Sequence, residues 1–491
     1  MSTIPLIHIN NAILRNPELR FETPLNFDLH PHEHWAIVGP NGAGKTTFAN
    51  TLTNKLPLAE GSISYQIPGN DPLYEKIKTV SFRNMYSLAD SRHLYYQQRW
   101  QSAEEKTPLV RDLIEKSGEK EEVERMVALF GVEDLLDKNI ICLSSGELRK
   151  YLLVNALKSI PKVLILDNPY VGLDEKSRTL LNDLLTQLAQ KGGTQLMLIL
   201  SNPDEIPDVI THVLPFRRMC CLPGMSRADF FADEKLRETL FVHPQAYILP
   251  PVQAATEPIY STALDMRNIH IRYGEYAILE SLSWQVKRGE KWALLGPNGA
   301  GKSTLLSLIC GDNPQAYAND FSLFGKKRGS GESIWDIKKR IGYASPEMLL
   351  YYRDDIACIN VVCSGFFDHV GLHRKCTQQQ RQAAWQWMEV FGIARLREKS
   401  FLKISFGEQH MVMLARAFVK NPELLILDEP MHGLDPSNKA RVTQIIEMFC
   451  EQRSKTLIYV THYFNEVPKC ITKRKNLAAA RRSSRSSGFL P

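Results

Sequence analysis

The stretch Gly296-Pro297-Asn298-Gly299-Ala300-Gly301-Lys302-Ser303-Thr304 has the spacing G-x-x-x-x-G-K-[ST], which is a device for holding a nucleoside triphosphate. Its glycines let successive backbone N–H groups turn inward around anionic oxygens, where a Cβ would crowd the loop. The helix that follows offers its N-terminus to the same charge. Lys302 then reaches the outer phosphates, and the Ser303 hydroxyl is placed to ligate Mg²⁺. Such a loop works only between a strand and a helix. The apolar run Trp292-Ala293-Leu294-Leu295 before it and Leu305-Leu306-Ser307-Leu308-Ile309 after it supply both.

The same device occurs earlier as Gly39-Pro40-Asn41-Gly42-Ala43-Gly44-Lys45-Thr46-Thr47, behind Trp35-Ala36-Ile37-Val38. Two more landmarks repeat in order. Leu143-Ser144-Ser145-Gly146-Glu147 corresponds to Ile404-Ser405-Phe406-Gly407-Glu408, and Val163-Leu164-Ile165-Leu166-Asp167 to Leu424-Leu425-Ile426-Leu427-Asp428. In each half the serine precedes the strand-ending aspartate by the same interval, so the chain is a tandem duplication. Alternation of apolar strands with helical stretches predicts an α/β fold in each half, a mostly parallel sheet with covering helices. The runs ending at Asp167 and Asp428 read as central strands buried on both faces. Helical stretches at 108–130 and 378–391 predict a smaller helical subdomain that carries the S-x-G-E element at a helix N-terminus.

At 491 residues the chain exceeds the size at which a single core keeps growing, so two or more domains are expected. Its net charge of +6 is matched by Lys473, Arg474, Lys475, Arg481, Arg482 and Arg485 in an acid-free end. The body is therefore near neutral and offers no overall electrostatic case for nucleic acid. No apolar run reaches the ~18 residues of a spanning helix, and the N-terminus lacks the charged-then-apolar order of a leader. A cytoplasmic protein is expected, peripheral at most on the inner face of the membrane. Nine cysteines without C-x-x-C spacing point to free thiols. The repeat aligns His30, His32 and His34 with Lys287, Gly289 and Lys291, a turn before a core strand rather than a metal site. His369 and His373 flank Val370 where a zinc protease needs Glu.

These motifs resemble the ATP-binding-cassette (ABC) ATPases, P-loop NTPases whose domains pair head to tail with the phosphate loop of one against the S-x-G-E element of the other. The resemblance spans nearly the whole chain and implies two composite ATP sites, with Mg²⁺, formed by intramolecular pairing of the halves. At Lys302 it implies that Asp428 holds Mg²⁺ with Ser303 and that Glu429 takes the proton of the attacking water. It further implies that His462 contacts the γ-phosphate, that Tyr273 stacks on adenine, and that Ser144 and Gly146 enter from the first half. At Lys45 it implies Thr46 and Asp167 on Mg²⁺, with Ser405 and Gly407 from the second half. Asp435 and its counterpart Asp174 would bridge the halves. Three positions of the first site depart from the pattern: Asn168 replaces the acid, Asn202 stands at the switch position, and Asn16 aligns with Tyr273. Both sites are thus expected to bind ATP, and hydrolysis to run mainly at Lys302 and Glu429. The family's glutamine after the first part of the sheet would fall near Pro346 and is absent from both halves.

The expected boundaries are 1–215 for a first ATP-binding domain, 216–262 for a connector, 263–472 for a second domain and 473–491 for a disordered basic tail. Pro223, Pro244, Pro250, Pro251 and Pro258 argue for an extended connector. A short connector speaks against translation-associated tandem cassettes, which carry a long charged hairpin. Degradation of the first site rather than the second speaks against sugar-importer twins. The stretches 311–317 and 323–338 resemble tandem ATP-binding proteins associated with molybdenum uptake, which implies a separate membrane permease as partner. The rival expectation is a soluble ABC ATPase acting on a ribosome or nucleic acid.

Overall fold

The computed structural model describes residues 4–81, 109–115, 124, 127–128, 131–138, 145–157, 161–171, 173, 175–241, 248–250, 260–273, 276–297, 300–352, 354–372, 374–452 and 454–477. The first half contains β1 (Ile7–Leu14), β2 (Leu25–Leu29), β3 (Trp35–Val38), β4 (Leu58–Tyr65), β5 (Ile77–Ser81), β6 (Val163–Asp167), β7 (Gln195–Leu200), β8 (His212–Arg217), β9 (Cys220–Cys221) and β10 (Met225–Ser226). The second contains β11 (Thr262–Tyr273), β12 (Tyr276–Lys287), β13 (Lys291–Leu295), β14 (Asp320–Leu323), β15 (Lys326–Lys327), β16 (Ile341–Ala344), β17 (Leu424–Asp428), β18 (Thr456–Thr461) and β19 (Lys473–Asn476).

Each half is organised round one parallel sheet, in the order β5-β6-β7-β3-β8 in the first and β16-β17-β18-β13-β19 in the second. The two orders match strand for strand, so the duplication read from motifs extends to topology. An antiparallel sheet accompanies each, β2-β1-β4 and β12-β11-β14-β15. Strands β6 and β17 are buried at every residue, which is why their sequences are unbroken apolar runs until the terminal aspartate. That aspartate emerges at the carboxyl edge of the sheet, where open α/β folds place ligands.

In the second half the helices Cys358–Ser364, Gln378–Val390 and Phe406–Phe418 share a core that includes Trp387, Phe391 and Phe418. A reciprocal capping box between Thr377 and Gln380 starts the middle helix. In the first half Val110–Glu115 and Ser145–Leu157 supply the corresponding packing, while most of the expected stretch 108–130 lies outside the described residues.

Two expected boundaries are corrected. The span from 216 is not an extended connector up to residue 241. It completes β8, adds β9 and β10, and forms the helices Arg227–Ala232 and Glu234–Leu240. Pro223 occupies the turn between β9 and β10, and the helices are capped by Ser226 and Asp233, so proline marks the bends without preventing helix between them. Phe230, Leu240 and Phe241 are buried in the core of the first half, to which this span belongs. The basic tail also starts too early: Lys473–Asn476 is β19, the edge strand beside β13, and the buried Leu477 donates its N–H to Leu295 O at 2.8 Å. An edge strand has one bonded neighbour and tolerates charge along it, so Lys-Arg-Lys shows no apolar pattern. Lys473 pairs with Glu290 and lies over the Trp292 ring, and Lys475 Nζ donates to Ser283 O at 2.9 Å. Residues 478–491 lie outside the described residues.

Candidate functional site

The two phosphate loops are built alike. Gly44 and Gly301 adopt φ of 101° and 86° as they hand the chain to the helices Lys45–Leu52 and Lys302–Ile309, a left-handed geometry that a side chain disfavours. A Cβ on Gly301 would also sit 2.9 Å from the Leu279 side chain. Lys45 Nζ donates to Gly39 O at 2.6 Å and Pro40 O at 2.8 Å, and Lys302 Nζ to Gly296 O at 2.7 Å and Pro297 O at 3.0 Å. Each ammonium is therefore poised over its own loop. Ala43 and Ala300, within the loops, are buried, while Asn298 and Gly299 lie outside the described residues.

Acidic groups meet the loops from the strand ends. Thr46 Oγ1 donates to Asp167 Oδ2 at 3.1 Å, joining the hydroxyl and carboxylate expected to serve one cation. Asp428 is buried, and its carboxyl is held well above the usual range, first by burial and then by the neighbouring carboxylates Glu429 and Glu347, with Lys302 pulling the other way. Glu347 is an acidic neighbour of Asp428 that reading the sequence missed. It follows Pro346, where a glutamine was sought, in the first turn of the 3-10 helix Pro346–Tyr351. An acid one residue beyond the expected amide was the available signal.

Behind these aspartates the halves diverge on one shared backbone. Asn168 and Glu429 both have left-handed φ, 53° and 47°, and both donate N–H to the neighbouring strand at 2.9 Å, to Ile199 O and Val460 O. Asparagine tolerates this conformation well. Glutamate held there stores strain of order 1–3 kcal/mol, which accumulates at functional positions. Glu429 Oε1 lies 2.7 Å from His462 Nδ1, and Thr461 Oγ1 donates to Glu429 Oε2 at 3.4 Å. In the first half Asn168 Nδ2 donates to Asp167 Oδ1 at 2.7 Å, and Ser201 Oγ donates to Asn168 Oδ1 at 3.3 Å.

Sheet register corrects the switch position. Val38 pairs with Leu200 and Leu295 with Thr461, so the residue in the place of His462 is Ser201 and not Asn202. Asn202 caps the 3-10 helix Pro203–Glu205 and accepts from Asp204 N at 3.1 Å, which is the place of Tyr463 before Phe464–Glu466. Asn16 likewise caps a short helix, Pro17–Leu19. The Tyr273 ring lies outside the described residues, although its backbone closes β11. An aromatic that the motif comparison passed over, Phe21, approaches the start of the first loop's helix beside Met219.

The halves meet head to tail. Asn41 N–H donates to Asp435 Oδ2 at 2.9 Å, and Asn41 Nδ2 donates to Gly433 O at 3.0 Å. A Cβ on Gly407 would fall 1.8 Å from Asn41 Nδ2, so the glycine of the second S-x-G-E element is what admits the first phosphate loop. Ser405 caps the helix Phe406–Phe418 in a capping box with Glu408, which Arg395 also holds, at 2.5 Å. At the other site the halves meet through Leu173, whose carbonyl lies 3.4 Å from His462 Nε2, and through Arg178, whose Nε donates to the Tyr463 hydroxyl at 2.9 Å. Gly146 lies in the first turn of the helix Ser145–Leu157, and Ser144 and Asp174 lie outside the described residues.

A protein-family model described as ABC transporter matches residues 23–171 and 279–432. The ABC transporter ATP-binding protein ModF of Escherichia coli (strain K12) is 37% identical over 468 residues, covering 91% of this chain and 91% of its own. An uncharacterized ABC transporter ATP-binding protein of Schizosaccharomyces pombe is 29% identical, covering 92% of this chain and 94% of its own. Among solved structures, a ribosome-bound archaeal Pelota and ABCE1 assembly contains a chain similar at a TM-score of 0.57 and 18% identity, covering 93% of this chain and 74% of that one. A structure described as RNase-L Inhibitor reaches 0.52 at 17% identity, covering 92% and 84%. These two likenesses show the fold. Among the described residues no helix is long and apolar enough to cross a membrane. The chain belongs to the ABC transporter family of ATP-binding proteins and, with two such cassettes in one polypeptide, is a tandem ABC ATPase that binds and hydrolyses ATP.

Proposed function

We propose that the two ATP sites divide their work: the site of Lys302, Glu429 and His462 turns ATP over, and the site of Lys45, Asn168 and Ser201 holds ATP with little or no turnover. The observation that carries this reading is the 2.7 Å contact of Glu429 with His462, set against an amide and a hydroxyl on the same backbone in the first half. A carboxylate at Glu429 can take the proton of an attacking water, and Asn168 cannot. Loss of a general base typically costs ~10²–10⁴ in rate. Both loops keep their phosphate-binding lysine and hydroxyl. Mg²⁺ would be held by Thr46 and Asp167 in one site and by Ser303 and Asp428 in the other, where it draws charge from the phosphates. Ser144 and Gly146, and Ser405 and Gly407, would complete the sites from the opposite halves, with Tyr273 under the adenine of the active one. Phosphate release measured separately for Lys302→Ala and Lys45→Ala tests the division: equal loss of turnover in both overturns it.

For the process served, the reading is the ATP-binding component of a molybdate-related uptake system, working on the cytoplasmic side with a separate membrane permease. Its support is the 37% identity to ModF across 91% of both chains. Affinity capture from solubilised membranes with and without ATP checks it. A co-purifying permease is the expected result, and recovery of ribosomes or nucleic acid in its place would overturn it.

A further inference from the structure

We propose that Arg178, in the half that lacks a catalytic carboxylate, is a positioning residue for hydrolysis at Glu429, acting through Tyr463 and Leu173 on His462. The inference rests on the reading that Glu429 and His462 form the site of turnover.

His462 is held between two acceptors. Its Nδ1 lies 2.7 Å from Glu429 Oε1, and its Nε2 lies 3.4 Å from the carbonyl of Leu173 in the other half. A neutral imidazole can donate to only one of them, so whatever else occupies the Leu173 carbonyl biases the ring. Tyr463 donates its hydroxyl to that same carbonyl, and Arg178 Nε reaches it at 3.3 Å. Arg178 Nε also lies 2.9 Å from the Tyr463 hydroxyl, and its guanidinium covers the Tyr463 ring at 5.2 Å. Burial raises the Tyr463 hydroxyl to about 12, so it remains a donor at working pH. Arg178, Tyr463 and the Leu173 carbonyl thus form a polarised chain ending at the switch histidine.

The other half contains the control. Arg178 Nη1 pairs with Glu205 at 2.9 Å, and Lys439 Nζ pairs with Glu466 at 2.6 Å, the equivalent ion pair of the repeat. Both pairs line one cleft between the halves, together with Asn168, Asn202, Glu429 and Tyr463. Lysine meets the structural need with a single ammonium. Only arginine can hold the carboxylate with one nitrogen while its Nε turns to a second partner. That second partner is across the interface, and the place equivalent to Tyr463 holds Asn202, which bonds within its own short helix. The extra donor is present on the one side where its partners, Tyr463 and the Leu173 carbonyl, adjoin His462.

The test is steady-state ATPase of the full chain, with kcat and KM measured separately for R178K, Y463F and the double variant, beside E429Q. R178K keeps an ion pair of the kind Lys439 makes, and Y463F keeps the ring, so both preserve the packing. Each single variant is expected to lower kcat about threefold to tenfold, the worth of one hydrogen bond, with KM for ATP unchanged. The double variant is expected to be no worse than either single one. Wild-type kcat in R178K and Y463F, additive losses, or a loss seen in KM would overturn the positioning role. Wild-type turnover in E429Q would remove the underlying assignment, and this inference with it. Loss in E429Q with no effect in R178K and Y463F removes the positioning role alone.

Discussion

The two halves present near-identical phosphate loops in near-identical geometry, and the differences lie one layer behind. Lys45 and Lys302 rest on the same pair of loop carbonyls, and Asn168 and Glu429 share a left-handed backbone and the same hydrogen bond to the next strand. The scaffold for a catalytic acid is therefore intact in both. In the first half it carries an asparagine bonded to Asp167 and to Ser201, and in the second a glutamate bonded to His462 and Thr461. Under the proposed division of work, binding and turnover are separable. In that reading the loop would supply the first through backbone amides and one lysine, and two side chains on neighbouring strands would supply the second.

That comparison can be broken most decisively at Glu429. E429Q keeps size and hydrogen-bonding reach while removing the proton acceptor, and turnover is expected to fall ~10²–10⁴-fold with ATP binding intact; a residual rate near wild type would mean that the halves do not differ as described. Next in size is Lys302→Ala, expected to lower phosphate release by ~10²–10³, the usual cost of one preorganised donor to a reacting oxyanion. Lys45→Ala should affect ATP retention more than rate, as read by a filter-binding assay. Gly407→Ala drives a Cβ to 1.8 Å from Asn41 Nδ2 and should open the first composite site. Asn41→Ala removes the Nδ2 hydrogen bond to Gly433 O and leaves the backbone N–H to Asp435 in place, at about 0.5–1.5 kcal/mol of closure, and ATP retention at the first site should drop in both variants. The smallest effect is a gain. N168E with S201H, placed in the E429Q background, should restore about tenfold of the lost rate, since one well-placed general base is worth at least that. No recovery would show that more than these two side chains was lost from the first half.

Much of this was legible in the residue order. Both phosphate loops, the duplication, the buried strands ending at Asp167 and Asp428, and the contrast of Asn168 with Glu429 follow from contiguous motifs. Folding the span 227–241 onto the first half was not legible, because prolines at 223, 244, 250, 251 and 258 announce bends and say nothing of the short capped helices between them. Strand β19 was hidden because an edge strand needs no apolar alternation, and its lysines are satisfied by Glu290 and Ser283. Ser201 was legible too, since it lies at the same offset from His462 as Asp167 from Asp428, and the pairing of β3 with β7 and of β13 with β18 bears that register out against Asn202.

The sequence by itself determined that two triphosphate loops exist, that each sits between strand and helix, and that only one half keeps an acid and a histidine at the chemistry. A phosphate cradle is made by nine consecutive residues whose backbone geometry depends on local glycines, so linear spacing suffices to encode it. Tertiary structure alone decided that Asn41 meets Asp435, that Glu347 stands beside Asp428, and that Arg178 reaches Tyr463. Those partners are far apart in the chain and carry no shared spacing. Glu347 and Asp428 become neighbours because β16 pairs with β17 within one sheet, and the other two pairs only when two sheets of the same topology face each other head to tail.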